Sequence, residues 1–167
     1  MPPLILTLKL DQQSFDALDT MRQQYFPRAR NLLSAHVTLF HQLPDEQELS
    51  IRQTLQELCA EIPVLHLSFP KLRFLGKGVA VEIECAELLQ LRKKLAADWD
   101  ALLTAQDKQG FRPHITIQNK VAPDDARRVF DRLAFAWKMA DGRGEGLLLW
   151  HYLDGPWELV GEFPFAG

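Results

Sequence analysis

The sequence lacks a surplus of positive charge. Its 19 lysines and arginines are outnumbered by 22 aspartates and glutamates, which gives a net charge of −3 and a pI near 5.9. A protein with this balance has no overall basic field to hold long nucleic acid through counterion release. Any nucleic-acid ligand is therefore expected to be short or held locally, and no long duplex is expected as a partner.

Cysteine and targeting signals are also scarce. The two cysteines, Cys59 and Cys85, lack C-x-x-C spacing, and each lies in or beside an apolar periodic segment. We expect both to be reduced thiols of the core. The first nine residues have no basic leader, and Thr7 and Lys9 interrupt their apolar run, which predicts a strand and not a signal peptide. The expected setting is cytoplasmic, with no membrane partner and a monomeric state.

Nothing in the chain marks a boundary between domains. Its 167 residues are 47% hydrophobic and contain no low-complexity tract, which predicts one globular domain over residues 1–167 with a sizeable core. Apolar periodicity predicts alternating strands and helices. Predicted helices start near Asp11, Pro44, Leu88 and Pro123, and a closing hairpin is predicted around Asp154-Gly155-Pro156.

A repeated pattern divides the chain into halves of roughly 1–70 and 71–167. His36-Val37-Thr38-Leu39 in the first half matches His114-Ile115-Thr116-Ile117 in the second. A Pro-Asp pair follows each motif, eight residues after His36 and nine after His114. The duplication predicts two interleaved lobes of one domain, although periodicity alone also allows a parallel sheet.

Alternation along a strand places the histidine and threonine of each motif on one face and the branched apolar residues on the other. Two such strands around one cleft would supply two imidazoles for acid and base roles and two hydroxyls for a small anion. Neither motif is accompanied by H-x-H, H-E-x-x-H or a nearby carboxylate triad, so paired histidines that bind a metal are the less favoured alternative. No metal or other cofactor is expected.

With this pair of His-x-Thr-x motifs, and with Arg112-Pro113 leading into the second, the chain resembles the two-histidine phosphoesterase superfamily. That superfamily includes bacterial 2′-5′ RNA ligases and RNA 2′,3′-cyclic phosphodiesterases. The resemblance implies an α+β fold of two pseudo-symmetric lobes, each an antiparallel sheet with helices outside, flanking a central cleft. It also implies that His36 and His114 are the catalytic pair and that Thr38 and Thr116 bind the phosphate.

Other residues are weaker candidates. Arg112 could hold a phosphate oxygen, and Phe40 shares the predicted face of His36, where it could stack on a base or pack between the lobes. Simple alternation points His41 away from the cleft and allows His66 to face it, and a structural or surface role is the better interpretation of both. The role of His151 is left open.

Two functions follow from these motifs. The first is a metal-independent phosphoesterase that hydrolyses a 2′,3′-cyclic phosphate at a nucleotide or RNA end, with 2′-5′ RNA ligation as the reverse reaction. The second is a non-catalytic module that recognises nucleotides or RNA ends in the same cleft. The completeness of both motifs favours the enzyme.

Overall fold

The computed structural model describes residues 2–167, which form eight strands and four helices. In chain order the elements are β1 (Leu4–Leu10), α1 (Gln12–Tyr25), β2 (Thr38–Leu43), α2 (Glu48–Cys59), β3 (Leu65–Leu67), β4 (Leu72–Phe74), β5 (Val79–Glu82), α3 (Ala86–Asp98), β6 (His114–Gln118), α4 (Pro123–Ala134), β7 (Gly142–Tyr152) and β8 (Trp157–Pro164).

The strands form two antiparallel sheets. The first has five strands: β2, β1, β7 and β3 lie side by side in that order, and β8 also pairs with β7. The second has three strands in the order β4, β5, β6. The first His-x-Thr motif therefore belongs to one sheet and the second motif to the other. The α+β fold of two lobes around a cleft, predicted above, is confirmed.

The C-terminal hairpin of β7 and β8 belongs to the first sheet, where β7 pairs with every residue of β1. The first sheet therefore combines strands from both halves of the sequence, whereas the second sheet, formed by β4, β5 and β6, lies within the second half. The single-domain division into halves near residue 70 stays a prediction.

Local chemistry explains where the helices begin. Helix α1 starts after Asp11, whose carboxylate accepts from the backbone N–H of Ser14 at 3.2 Å and from that of Arg143 on β7 at 2.7 Å. Helix α4 starts with Pro123 in its first turn, where a missing N–H costs nothing. The predicted helix at Pro44 instead begins as a 3-10 turn, and α2 follows from Glu48.

Helices α1 and α3 each carry an arginine that reaches the strand with the motif of the opposite half of the chain. Helix α1 packs against β6, and Arg22 on it donates to the carbonyl of Thr116 at 2.9 Å. Arg92 on helix α3 donates to the carbonyl of Leu39 on β2 at 2.7 Å. These two arginine contacts join the sheets on either side of the cleft. Within residues 2–167, no helix has the length and apolar character needed to span a bilayer.

Candidate active site

The two motifs meet at a cavity of about 520 Å³ between the sheets. His36 lies just before β2 and Thr38 is its first residue, whereas His114 and Thr116 are the first and third residues of β6. All four side chains line the cavity. The branched residues of the motifs point into the core and are at most 1% exposed: Val37, Leu39, Ile115 and Ile117. The predicted alternation of faces thus brings both histidines and both threonines together.

Each histidine is held in the same tautomer by the backbone two residues before it. Nδ1 of His36 lies 2.8 Å from the carbonyl oxygen of Ser34, and Nδ1 of His114 lies 2.9 Å from that of Arg112. A carbonyl only accepts, so Nδ1 carries the hydrogen in both rings. Arg73 also approaches Nδ1 of His114, at 3.3 Å, but a nitrogen that donates to a carbonyl cannot accept from a guanidinium as well. Nε2 of each ring is therefore left to exchange a proton in the cavity.

Both histidines favour the neutral form, and His36 does so strongly. Burial, with smaller contributions from the charges of Arg22, His114 and His41, lowers the pKa of His36 to about 4. The pKa of His114 is also lowered, first by burial and then by the positive charge of Arg73. An imidazole that stays neutral over most of the pH range can act as a base.

Arg112 lines the cavity, but it is paired with a carboxylate. Its guanidinium is 3.3 Å from Glu82 on β5, and 71% of its side chain is exposed. The same carboxylate accepts from Arg73 on β4 at 2.9 Å. The predicted role of Arg112 in binding phosphate stays a prediction.

Arg73 is a cavity residue that the sequence analysis missed. Through β5 it shares a sheet face with Thr116, because Arg73 is opposite Ala80 and Ala80 is opposite Thr116. Its side chain is 20% exposed and lines the cavity. The strand register carries the signal for this residue, and three-residue strands are too short to reveal their register in a sequence.

Phe40 does not face the cavity, so the proposed stacking on a base is wrong. The ring is 0% exposed and packs edge-on against Trp99 at 5.3 Å, with the guanidinium of Arg92 3.9 Å from its centre. The reason is a β-bulge: Thr7 and Leu6 of β1 oppose Thr38 and Phe40, so β2 carries one extra residue between them. The extra residue turns Phe40 into the core.

The same irregularity brings His41 to the cavity, against the expectation that it points away. A second register shift follows between Phe40 and Leu43, at His41 and Gln42. The carboxylate of Asp107 accepts from the backbone N–H groups of both, at 2.8 Å and 2.9 Å, and lies 3.1 Å from Nδ1 of His41. Asp107 thereby satisfies the donors that the bulge removes from the strand ladder.

Trp157 borders His36 on the other side. Its ring centre is 4.8 Å from that of the imidazole, and it lines both the cavity described above and a neighbouring one of about 430 Å³. The second cavity is mostly apolar and includes Trp150, Phe15 and Leu148. Trp157 lies more than a hundred residues after His36 in the chain, and no motif in the sequence connects them.

The remaining histidines lie elsewhere. His66 is 76% exposed in its side chain and pairs with Asp141 at 2.9 Å, outside the cavity. His151 joins Glu48 on α2 at 2.9 Å. Among residues 2–167, no three or more His, Cys, Asp or Glu side chains are grouped so as to hold a metal ion.

Comparisons with known proteins bear on the family and the fold of this chain. A family model described as the 2′-5′ RNA ligase superfamily matches residues 10–156. No curated protein matches the sequence. The crystal structure of TT0787 of Thermus thermophilus has a TM-score of 0.68 at 17% identity, covering 99% of this chain and 98% of that one. E. coli LigT complexed with phosphate gives a TM-score of 0.64 at 14% identity over 99% and 98% of the two chains, and LigT complexed with 3′-AMP gives 0.64 at 14% over 99% of each.

Proposed function

Since the chain belongs to the 2′-5′ RNA ligase superfamily, we propose that it is a phosphoesterase that hydrolyses a 2′,3′-cyclic phosphate at a nucleotide or RNA end. Run in reverse, the same groups would join a 2′-hydroxyl to such an end. E. coli LigT, which shares the fold, has been crystallised with phosphate and with 3′-AMP. A nucleotide ending in phosphate is the product that the proposed hydrolysis would leave.

One observation carries the proposal: two imidazoles in the same tautomer line a single cavity, each beside a threonine hydroxyl. Hydrolysis of a cyclic phosphate needs a base that takes a proton from water and an acid that gives one to the departing ribose oxygen. The two Nε2 atoms can fill these roles without a metal ion. The hydroxyls of Thr38 and Thr116 would donate to the non-bridging oxygens and stabilise the charge that builds there.

The two pKa values favour one assignment of roles. Because the pKa of His36 is lowered to about 4, a single proton shared by the pair resides on His114. In hydrolysis, Nε2 of His36 would therefore accept the proton of the attacking water as the new P–O bond forms. Nε2–H of His114 would protonate the ribose oxygen as the old P–O bond breaks. The roles exchange in the ligation direction.

The test is turnover in the presence of EDTA. Adenosine 2′,3′-cyclic phosphate and a short RNA with a cyclic phosphate end are each incubated with wild type, His36→Ala and His114→Ala. We expect wild type to form the monophosphate and each variant to lose a factor of about 10²–10⁴ in rate, the usual contribution of an acid or base. Chromatography identifies the product isomer.

His66→Ala is the control, because this histidine lies outside the cavity, where it pairs with Asp141. It should keep the wild-type rate. Wild-type rates in both His36→Ala and His114→Ala would refute the proposal. Binding of 3′-AMP with no turnover of either substrate would instead support the non-catalytic module.

The proposed setting is the cytoplasm, where Cys59 and Cys85, both free in the structure, would stay reduced.

A further inference from the structure

His41 has no part in the proposed chemistry, although the structure holds it firmly at the cavity. Half of its side chain, 51%, is exposed, whereas that of its partner Asp107 is 0% exposed. Burial by itself would raise the pKa of Asp107, but hydrogen bonds from His41 and Gln42 outweigh it and lower that pKa. The buried carboxylate is thus ionised at neutral pH and faces an imidazole on the cavity wall.

The contact with Asp107 also fixes which nitrogen of His41 is available. A carboxylate only accepts, so the Nδ1 atom at 3.1 Å carries its hydrogen toward Asp107. Nε2 is left for the cavity. A ring that also carries a proton on Nε2 would lie between the carboxylate of Asp107 and the cavity, and could donate a charge-assisted hydrogen bond to an anion there.

His41 lies farther along β2 than the first motif. It is three residues beyond Thr38, which would separate the two Cα atoms by roughly 10 Å in a regular extended strand. A nucleotide unit with a second phosphate is long enough to reach both positions. The amide side chains of Gln106 and Gln109 line the same part of the cavity.

The charged side chains that line the cavity also suit an anionic ligand. Three arginines line the cavity together with the three histidines, and Asp107 is the single acidic residue among the lining residues that the structure describes. Asp107 is already engaged by three donors. Arg73 and Arg112 share the carboxylate of Glu82, which lies behind them on β5. With Glu82 and Asp107 both counted, the three arginines leave one positive charge to face an anionic substrate.

We propose that His41, fixed by Asp107 on the bulge of β2, binds a second phosphate of the substrate. The inference rests on the proposed function and narrows its substrate class. The cleft then selects a nucleotide or RNA end with a further phosphate on the terminal nucleoside over a cyclic phosphate that has none. The bulge serves this role by turning His41 from the core to the cavity.

Binding of two stable probes tests the proposal without relying on turnover. Adenosine 3′-monophosphate and adenosine 3′,5′-bisphosphate are titrated into wild type, His41→Asn, His41→Gln and His66→Asn by calorimetry. Asparagine retains a donor near the position of Nδ1, so it preserves the bond to Asp107 and removes Nε2. Glutamine places its amide nearer to Nε2 and loses the bond to Asp107.

Wild type should bind the bisphosphate more tightly than the monophosphate. His41→Asn should lose about ten-fold in affinity for the bisphosphate, the size of one charge-assisted hydrogen bond, and nothing for the monophosphate. His41→Gln should keep part of the preference, and His66→Asn should match wild type. Thermal unfolding of each variant confirms that the protein is folded.

Two results would overturn the proposal. The first is equal affinity of wild type for both probes, and the second is an equal loss for both probes in His41→Asn, which would assign His41 to the fold or to the reacting phosphate. Failure of the enzymatic proposal looks different: wild type would prefer the bisphosphate but turn over no cyclic phosphate. Conversely, turnover of a cyclic phosphate without a preference for the bisphosphate would support the proposed enzyme activity and refute the second phosphate site at His41.

Discussion

The two sides of the cleft hold their histidines in the same way but surround them differently. In both, Nδ1 donates to the carbonyl two residues earlier. His114 is flanked by Arg73 and Arg112, whereas His36 is flanked by the ring of Trp157 and by an apolar cavity. The cleft thus has a charged side and an aromatic side. We infer that the apolar cavity beside His36 takes an uncharged part of the substrate.

The two sides of the cleft are also alike in that each depends on a buried arginine. Arg22 donates to the carbonyls of Leu33, before the first motif, and of Thr116, within the second. Arg92 donates to the carbonyls of Asp107, before the second motif, and of Leu39, within the first. Each buried guanidinium therefore ties the approach of one motif to the strand of the other. The spacing of the two histidines depends on both.

The largest expected effect tests whether these arginines are equivalent. Arg22→Met and Arg92→Met each leave buried carbonyls without a donor, which costs about 2–4 kcal/mol in the free energy of unfolding. Urea titration of both variants measures the loss. Arg132→Met, at an exposed site on α4, is the control and should stay within about 0.5 kcal/mol of wild type. A cost confined to one of the two buried arginines would break the equivalence.

The next effect tests the difference between the sides through the dependence of kcat/KM on pH. With His36 as base and His114 as acid, activity rises as pH passes the pKa of His36, about 4, and falls as pH passes that of His114, which is lowered from its ordinary value. Optimum activity is expected on the acid side of about pH 6.5. Assays across this range in one buffer system locate both limbs.

Trp157→Ala and Arg73→Met should each move one limb. Removing the tryptophan admits water to His36, raises its pKa, and shifts the acid limb upward by up to about one pH unit, or about 1.4 kcal/mol. Removing the charge of Arg73 raises the pKa of His114 and shifts the alkaline limb upward instead. Trp157→Phe retains an aromatic ring, so its acid limb should stay close to the wild-type pH. If either substitution moves both limbs equally, the two sides do not control their histidines separately.

Much of this cleft could be predicted from the sequence because its information is local. The period of two around each motif placed His36, Thr38, His114 and Thr116 on one surface, and the repeat placed the surfaces together. The failures came from contacts distant in sequence. Two bulges in β2, the second of them supported by Asp107, reversed the directions of Phe40 and His41. Arg73 and Trp157 reach the cavity through strand pairings that no spacing reveals.

The smallest effect concerns a histidine outside the cleft, where the environment acts in the opposite direction. The hydrogen bond to Glu48 raises the pKa of His151, so the pair stabilises the fold while His151 is protonated. This contribution is complete below about pH 6.5, the unfolded pKa, and is lost as pH rises through the higher folded value.

His151→Gln should therefore lower the free energy of unfolding by a few tenths of a kcal/mol at about pH 5.5, since water and salt screen a pair with 23% and 27% exposed side chains. At about pH 8.5 the variant should match wild type, because neither protein then has the charged pair. Urea titration at both pH values measures the difference, with Glu48→Gln as the reciprocal variant. An equal loss at both pH values would mean that His151 stabilises α2 against β7 by packing and not by charge. In that case, burial in the cleft and pairing outside it would not explain why the pKa values of the cleft histidines are lowered and that of His151 is raised.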